Sequence, residues 1–545
     1  MAGEESGASI ADCVVEPSTK KAKLEVPESS VLHPELLAMS AEKRCEIKEK
    51  CLTNVPFAHY QLPVLCSPDH MRKVHMECVE ELQSTFKETD LFKLYQTIDL
   101  GNLSESDPLA KKLPALMQLR SALYSPEFRA FIADITGCDT LTDKVDCAAN
   151  VYMKGCHLLP HDDVIGTRCV SYVIYLSDPD DEWTAADGGA LELYPQETPG
   201  IPALVPTAFA LPTYNTIALF PVAPGVSFHS VQEVYADKPR LSIQGWFHKK
   251  EAPVGVDEAT KRQLAAIEAT VTPFDLIQAD DLAELADAEL EGLQNFINGI
   301  YLTRSTMEQV QETFLQTGSL QLQDFLIPKW ADLIANATVA ADKASKLGRG
   351  QTPDYEAGYD LDSGAWEPRG PVYHQRYLRL QPQQSSLSSS PKEDSITELL
   401  GYLQAQLVHS TAFHKWLCQV TGVIPTSFRS EVRRFRPGLD YTLAQRQSHP
   451  ILDAVLCLSN LQDEDEEEEG AATGYECYVP VESDGLGDVA AAAADNEDEE
   501  PIQIEAQFNT LSLVIRDVKT MKFVKFVGAA ARGSRWDLNV EYKLD

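Results

Sequence analysis

The sequence has no apolar run of about 18 residues, the length that a membrane-spanning helix needs. Its first residues also lack the apolar core of a secretory signal. The twelve cysteines are scattered, without a Cys-x-x-Cys pair or a dense cluster. These absences argue against a disulfide scaffold and a membrane-spanning protein, and they predict a reducing compartment with free, mostly buried thiols.

Basic residues are the scarcer charge, since 46 Lys and Arg stand against 83 Asp and Glu and give a net charge of −37. Two acidic tracts, Asp463–Glu469 and Glu497–Glu500, hold only a minor part of this charge, so the acidity is general. Such a surface keeps a protein soluble, repels nucleic acid and anionic lipid, and attracts basic proteins. We therefore expect a basic protein partner, no direct contact with nucleic acid or membrane, and a monomer.

A chain of 545 residues is too long for one ordinary core and predicts two domains plus tails. Residues 1–30 are polar and predict a disordered tail, whose basic cluster Lys20–Lys23 is either a nuclear import signal or a solvated segment. Helical periodicity then extends to about Leu141, and residues 148–250 hold short β-rich runs separated by turns. Residues 31–250 are therefore predicted to form the first domain.

The same order of helices and then strands returns after a linker predicted at residues 251–275. Residues 276–545 would form the second domain, with mobile loops near 381–391 and 462–500. Many short strands with frequent turns favour a double-sheet β structure such as a jelly roll. The predicted fold class is therefore α+β, with two double-stranded β-helix (jelly-roll) domains that are each preceded by helices.

The two strand regions also align loosely, which indicates an internal duplication, although shared β patterning would give a similar likeness. Tyr214–Leu219 resembles Phe508–Leu513. This alignment places His229 on Lys525 or Phe526, depending on the position of a gap. A lysine repels a metal ion and a phenylalanine cannot bind one, so we expect chemistry only in the first domain and a noncatalytic second domain.

A metal site is indicated by His161, Asp163 and His229, which stand in HDDVIGTR and VSFHSV. Two imidazoles and one carboxylate form a facial triad that binds Fe(II) and leaves positions open for a cosubstrate and O₂. Successive residues of a strand point to opposite faces, so His161 and Asp163 would share a face. Asp163 is therefore the predicted ligand, and Asp162 would point away, either to support the ligands from behind or to lie at the surface.

Arg240 follows His229 by eleven residues and begins the last β-rich run of the first domain. Its guanidinium suits the distal carboxylate of a small dicarboxylate, which it would bind through paired charge-assisted hydrogen bonds. Tyr152 and Tyr175 lie on neighbouring runs, where each hydroxyl either donates to the cosubstrate or belongs to an ordinary core tyrosine. The set indicates an oxygenase that uses Fe(II), 2-oxoglutarate and O₂. His248 is predicted to lie at the surface or to face the substrate.

Longer motifs give a family resemblance. HDD, GGALELY, VSFHSV and RLSIQGWFH in the first half, and EVRRFRPGLDYTL, TLSLVIRDVKTMKFVKF and RWDLNVEY in the second, resemble the prolyl 3-hydroxylases that modify a small-subunit ribosomal protein at the decoding centre. These 2-oxoglutarate and iron-dependent oxygenases are related to the yeast termination and polyadenylation protein. The resemblance covers most of the chain and implies two double-stranded β-helix domains, of which only the first is catalytic.

The resemblance also implies roles for the residues already singled out: iron ligands His161, Asp163 and His229, and 2-oxoglutarate contacts Arg240, Tyr175 and Tyr152. It implies Fe(2+), 2-oxoglutarate, O₂ and L-ascorbate as the small molecules of the reaction. The implied substrate is a proline of a basic small-subunit ribosomal protein, with an effect on translational accuracy and a location in nucleus and cytoplasm. The alternatives are an oxygenase-fold scaffold and an oxygenase with a different substrate.

Overall fold

The computed structural model describes residues 8–9, 31–37, 39–138, 140–278, 282, 284–349, 351–381, 390–459, 474–480 and 501–544. The chain divides into two compact units, Met1–Ala266 and Ile267–Asp545. Nearly all of the predicted tail, with its lysine cluster, lies outside the described residues, as do both acidic tracts and most of the loop predicted at 381–391. The segment predicted as a linker is mostly helical, and the boundary between the units falls within that helix.

The first unit combines helices with short antiparallel strands. Its helices are α1 (Pro34–Leu37), α2 (Ala41–Thr53), α3 (Pro68–Glu81), α4 (Pro114–Leu123), α5 (Pro126–Thr136) and α6 (Val256–Thr270, which crosses the boundary), with 3-10 turns at Leu100–Asn102, Ala110–Lys112 and Ala185–Asp187. Its strands are β1 (Ala8–Ser9), β2 (Tyr60–Leu62), β3 (Gln83–Glu88), β4 (Phe92–Gln96), β5 (Cys147–Tyr152), β6 (His157–His161), β7 (Arg168–Tyr175), β8 (Leu191–Leu193), β9 (Gln196–Thr198), β10 (Ile201–Pro202), β11 (Ala208–Ala210), β12 (Ile217–Pro221), β13 (His229–Val231) and β14 (Arg240–His248).

The strands of the first unit form a nearly closed antiparallel barrel of jelly-roll type. Their order is β11-β8-β13-β6-β4-β5-β14-β7-β12-β2. Strand alternation divides β14 between two environments: Leu241, Ile243 and Phe247 join the core beneath the helices, and Arg240 and Trp246 belong to the opposite face. The helices therefore cover one face of the sheet, and the other face is left to line the barrel interior.

Local signals account for the helices that cover the sheet. In α5 the Ser125 side chain accepts the backbone N–H of Phe128, and the helix ends at Gly137 with φ 67°. The apolar face of α5 joins residues of the barrel strands in one core, including Ile132, Ile135, Val151, Ile174 and Ile243. Burial of this stripe fixes the helix against the barrel.

One segment differs from the sequence prediction. Helical periodicity predicts a helix through Phe86, but α3 ends at Glu81 and residues 83–88 form β3. This strand pairs with β4 in an antiparallel hairpin, with Phe86 opposite Tyr95. The spacing of the apolar residues suited a helix, and pairing with another strand overrode that local preference.

The second unit also has helices before its main strands. Its helices are α7 (Asp287–Leu293), α8 (Arg304–Thr317), α9 (Pro328–Ala344), α10 (Ile396–Leu403) and α11 (Thr411–Thr421), with 3-10 turns at Gly299–Leu302 and Leu361–Ser363 and a π turn at Gln404–Val408. Its strands are β15 (Asp275–Leu276), β16 (Ser319–Leu322), β17 (Trp366–Arg369), β18 (Gln375–Leu380), β19 (Ser427–Phe435), β20 (Tyr441–Thr442), β21 (Ile451–Cys457), β22 (Glu476–Pro480), β23 (Ile502–Ile504), β24 (Thr510–Arg516), β25 (Thr520–Val524) and β26 (Arg535–Lys543). Strand β22 lies inside the loop predicted at 462–500.

The main sheets of the two units share one strand order. In the first unit the sequence of neighbours is β2-β12-β7-β14-β5, and in the second it is β16-β24-β21-β26-β19. In each unit a further strand also pairs with two partners, β8 with β11 and β13, and β22 with β23 and β25. The predicted likeness between the strand regions therefore extends to their topology.

A single asparagine turn repeats in both units. Asn215 and Asn509 each precede a central strand, with φ 61° and 53°. The Asn215 side chain accepts the backbone N–H of Cys66 and donates to its carbonyl, both at 3.0 Å. The Asn509 side chain makes the same two bonds to Leu326, at 2.8 and 3.1 Å. The likeness of Tyr214–Leu219 to Phe508–Leu513 thus reflects one shared turn.

Candidate active site

The strand ends of the first barrel bring two histidines together. Strand β6 ends at His161, β13 begins at His229, and these two residues are direct partners in the antiparallel pair. Their ring centres lie 4.2 Å apart. Sheet pairing thereby brings together two histidines that strands β7 to β12 separate in the chain, as the sequence prediction required.

Asp163 completes a compact triad with the two histidines. Its carboxylate oxygens lie 3.5 Å from Nε2 of His161 and 3.4 Å from Nε2 of His229. One ligand atom from each residue falls within 4.8 Å of the others, and no other group of three such side chains occurs among the described residues. The donor set, two imidazoles and one carboxylate, fits Fe(II).

Asp163 is placed by a turn and not by strand alternation. Strand β6 ends two residues earlier, and Asp163 has φ 61°, in the left-handed region. The predicted residue therefore lies in the triad, but the reason given for it was wrong. The turn directs its carboxylate back toward the histidine at the end of the strand.

Asp162 ties the two histidine segments together. Its carboxylate accepts the backbone N–H of Gly225 at 3.1 Å, and its carbonyl accepts the Ser227 hydroxyl at 3.0 Å. Both partners precede His229 in the chain. Asp162 thus positions the two ligand segments relative to each other, which agrees with the supporting role that was one of the two predicted for it.

Backbone carbonyls orient both imidazoles. Nδ1 of His161 lies 2.9 Å from the Leu159 carbonyl, and Nδ1 of His229 lies 2.8 Å from the Ser227 carbonyl. A proton on each Nδ1 leaves Nε2 free to bind a metal ion. This arrangement is common for histidines that coordinate metals.

Two residues that the sequence analysis missed support Asp163. The Trp246 indole N–H donates to the Asp163 carboxylate at 3.0 Å. The Arg168 guanidinium lies 3.4 Å from the centre of the Trp246 ring and 3.9 Å from the same carboxylate. Each of these contacts joins residues that are distant in sequence or separated by a turn. The position of Trp246 on the same strand face as Arg240 was the one available signal.

The charges of the triad favour a bound cation. Burial disfavours a charge on Asp163, but His229 and His161 outweigh burial and hold the pKa of this carboxyl well below its usual range. Burial likewise disfavours protonation of His161, whereas Asp163 raises the pKa of that imidazole. The carboxylate is therefore ionised in a site from which water is largely excluded, and it carries the charge that a divalent metal ion would neutralise.

Arg240 is almost fully buried, with 1% of its surface exposed. Its Nε donates to the Gly189 carbonyl at 2.6 Å and one terminal nitrogen donates to Ser242 at 3.3 Å. The other terminal nitrogen, Nη2, has no hydrogen-bond partner among the described residues. A buried guanidinium with an unused donor is suited to an anion, because leaving it without a partner costs free energy.

Tyr152 and Tyr175 both lie close to this guanidinium, with ring centres 4.9 and 5.2 Å from its carbon atom. Their buried hydroxyls lack hydrogen-bond partners among the described residues, like Nη2 of Arg240. Burial raises the pKa of both tyrosines, against the opposing effect of Arg240, so the hydroxyls stay protonated. Three unsatisfied donors in one place fit the carboxylate of 2-oxoglutarate.

His248 differs from its prediction. Only 2% of its surface is exposed, and its ring lies 3.1 Å from Asp146 and 3.0 Å from the Thr167 hydroxyl. It is therefore a buried structural residue at the end of β14 and not a surface residue.

Among the described residues of the second unit, no equivalent triad occurs. Arg240 donates to the carbonyl of Gly189, and at the start of β26 Arg535 donates to the carbonyl of Gly474. His229 pairs with His161 in the first unit, and the bridge that corresponds in the second joins Lys522 to Gln445.

These two correspondences place Lys522 at the position of His229 and Gln445 at that of His161. The predicted equivalents Lys525 and Phe526 are wrong by three or four residues. The residue that corresponds to His229 was nonetheless expected to be one that cannot bind a metal ion, and Lys522, a cation, agrees with that expectation.

Within the described part of the chain, no helix has the length and apolar character to cross a bilayer. Residues 147–248 match the family model of the 2OG-Fe(II) oxygenase superfamily. Residues 288–545 match the model described as oxoglutarate and iron-dependent oxygenase degradation C-term. The two matches fall in the first and second units respectively.

Two curated relatives resemble nearly the whole chain. The prolyl 3,4-dihydroxylase OGFOD1 of Ostreococcus tauri is 39% identical over 480 residues, which cover 86% of this chain and 91% of that protein. The prolyl 3-hydroxylase OGFOD1 of Xenopus laevis is 27% identical over 499 residues, with 87% and 84% covered. Among solved structures, a Pseudomonas putida prolyl-4-hydroxylase matches 38% of this chain and 99% of its own, at 20% identity and a TM-score of 0.29.

Proposed function

This chain belongs to the OGFOD1 family of prolyl hydroxylases, and we propose that it is itself an Fe(II)- and 2-oxoglutarate-dependent prolyl 3-hydroxylase. The observation that carries the proposal is the pairing of a His-Asp-His triad with three unsatisfied donors in one barrel. A scaffold that had lost turnover would need neither the triad nor the cosubstrate clamp.

Different residues of the first barrel would bind the iron and the 2-oxoglutarate. His161, Asp163 and His229 would hold the iron, and Arg240 would bind the distal carboxylate of 2-oxoglutarate with Tyr152 and Tyr175. Bound iron, with 2-oxoglutarate and O₂, supplies the oxidising power to replace a C–H bond by C–OH. The protein supplies orientation and excludes water: Phe220, for example, lies 4.6 Å from the His229 ring.

The proposed substrate is a proline in a basic protein of the small ribosomal subunit. The net charge of −37 supports a basic partner, and the family resemblance supports the ribosomal one. We also propose L-ascorbate as a supporting reductant, an effect on translational accuracy, and action in both nucleus and cytoplasm. The second unit is proposed to be a noncatalytic double-stranded β-helix that arose by duplication, supported by the shared strand order and asparagine turn.

Dihydroxylation of the proline is a second possible outcome of the test, because the relative with 39% identity is a 3,4-dihydroxylase. Two successive oxidations of one proline would then replace a single one. A site that binds iron and 2-oxoglutarate is suited to both single and double hydroxylation. The number of oxygen atoms added must therefore be measured.

The test uses purified protein with Fe(II), 2-oxoglutarate, ascorbate and peptides from basic small-subunit ribosomal proteins. We expect succinate formation and one added oxygen on a proline, or two for a dihydroxylase, located by fragmentation mass spectrometry. An acidic peptide with the same proline context is the control. Absence of any oxygen on any of these peptides, while iron is bound, would rule out the proposed activity.

A further inference from the structure

The second unit contains an open cavity of about 90 Å³ among its strands, which has room for several water molecules or a small ligand. Four cationic side chains line it: Arg429, Arg433, Arg516 and Lys522. Only two carboxylates line it with them, those of Glu431 and Glu541. A cation-rich lining is unexpected in a chain with a net charge of −37.

Glu541 of the lining pairs with Arg429 and Arg516, and carboxylates behind the lining pair with the other two cations. Arg433 binds Asp537 through Nε and Nη2 at 2.7 and 3.0 Å, and Lys522 binds Asp453 at 3.2 Å. Neither aspartate lines the cavity. These pairs fix the orientation of the two cationic side chains.

Two groups in the lining have polar atoms that make no hydrogen bond to the described residues. Arg433 is 6% exposed, and its Nη1 has no hydrogen-bond partner among the described residues. The imidazole of His374 likewise has no partner there, and its burial lowers its pKa to about 4, so it is neutral at physiological pH. Both residues line the cavity, so a ligand or water can satisfy these atoms there.

The position of the cavity follows from the comparison of the units. Lys522 and Gln445, which take the places of His229 and His161, both line it. The ammonium of Lys522 therefore stands where the metal site of the first unit has an imidazole. A fixed positive charge from a side chain can attract a carboxylate or phosphate without a metal ion.

We propose that this cavity of the second unit binds a small oxyanion, a carboxylate or a phosphate, held by Lys522 and Nη1 of Arg433. The oxyanion comes either from a free small molecule or from the terminal carboxylate of a peptide. Arg429 and Arg516 add positive potential, and the amides of Gln445 and Asn539 offer further donors. No chemistry is assigned to the site, because the described residues that line it include no metal-binding triad.

The test measures binding to the full-length protein by isothermal calorimetry at constant ionic strength. The probes are inorganic phosphate and two short peptides of one sequence, with a free and an amidated C-terminus. Saturable binding of phosphate alone indicates a free anion, and binding of only the free-acid peptide indicates a chain terminus. Both results support the proposal, and failure of phosphate and of the free-acid peptide to bind overturns it.

Variants locate any binding that is found. Arg433→Gln and Lys522→Met should each weaken it by at least about tenfold, the value of one charge-assisted hydrogen bond. Both residues are buried in ion pairs, so His374→Gln provides a variant with no partner to lose, and it should weaken binding by a smaller factor. Arg304→Gln, whose side chain is 90% exposed in the same unit, is the matched control. Unchanged affinity in a folded His374→Gln and a folded Arg433→Gln would place the anion elsewhere and overturn the proposal.

Discussion

The two units share one strand order, but the side chains of their interiors differ. Each unit has an arginine at the start of its last strand. Arg240 in the first unit has one N–H donor without a partner, beside two tyrosine hydroxyls that also lack partners. Arg535 in the second unit is instead paired with Glu476 and Asp537. Six positions later, Trp246 supports the metal-binding carboxylate, whereas Glu541 pairs with Arg429 and Arg516. The shared framework therefore fixes where side chains meet, and residue identity decides whether they are left unsatisfied for ligands.

Pairing of the buried cations is the physical difference between the interiors. The second unit joins its buried charges into a network in which most cations face a carboxylate. Burial disfavours ionisation of Glu541, but Arg429 and Arg516 lower its pKa to about 2. Such a network stabilises only as a whole, because removal of one partner leaves another charge buried.

The largest effect is expected from removing one metal ligand. His229→Ala should lose iron and with it all turnover, while the fold persists, because the ring contributes to no buried ion network beyond the triad. Iron per folded chain, measured by atomic absorption, checks this. Lys522→Ala at the corresponding position should leave the iron content unchanged. Loss of iron in the lysine variant would contradict the assignment of one metal site to the first unit.

The two arginines at the start of the last strands should fail in different ways. Arg240→Ala should raise the 2-oxoglutarate requirement by on the order of 100-fold, because it removes charge-assisted hydrogen bonds worth about 1.5–3 kcal/mol each. Arg535→Ala should instead lower the free energy of unfolding by about 3–5 kcal/mol, since it breaks a buried pair. Turnover against 2-oxoglutarate and urea denaturation measure the two effects. An equal rise in the requirement for both variants would refute the division of roles.

Trp246→Phe should have a smaller effect, confined to the metal. It removes the indole N–H that donates to Asp163 and keeps most of the ring beneath Arg168. Loss of such an outer contact typically weakens metal binding by about 10–100-fold. Trp330→Phe is the control, because it also loses one indole hydrogen bond, to the Asn295 carbonyl, but in the second unit. Titration with Fe(II) under nitrogen distinguishes them, and equal affinities would exclude a role for Trp246.

Sequence reasoning found the triad because its residue types and order are rare together, and pairing of β6 with β13 then joined them. It justified Asp163 by strand alternation, whereas a left-handed turn places it, and no local pattern marks that turn in an aspartate. The equivalence of His229 with Lys522 was missed because gap placement is ambiguous between short β runs. Sheet register resolves it, and register depends on contacts between residues far apart in sequence.

The smallest effect is expected from Gly189, whose backbone lies close to the Arg240 side chain. Gly189 has φ 68°, and a Cβ there would lie 2.8 Å from Cδ of Arg240. Gly189→Ala should therefore shift the guanidinium and raise the 2-oxoglutarate requirement roughly several-fold, in addition to backbone strain of about 1 kcal/mol. Gly155→Ala is the matched control, because its φ is 83° and a Cβ would meet nothing within 4 Å. Both variants should lose stability in urea, but only Gly189→Ala should need more 2-oxoglutarate. If the two variants share one requirement, strain alone explains the glycine, and the close approach of Arg240 to the backbone has no part in binding.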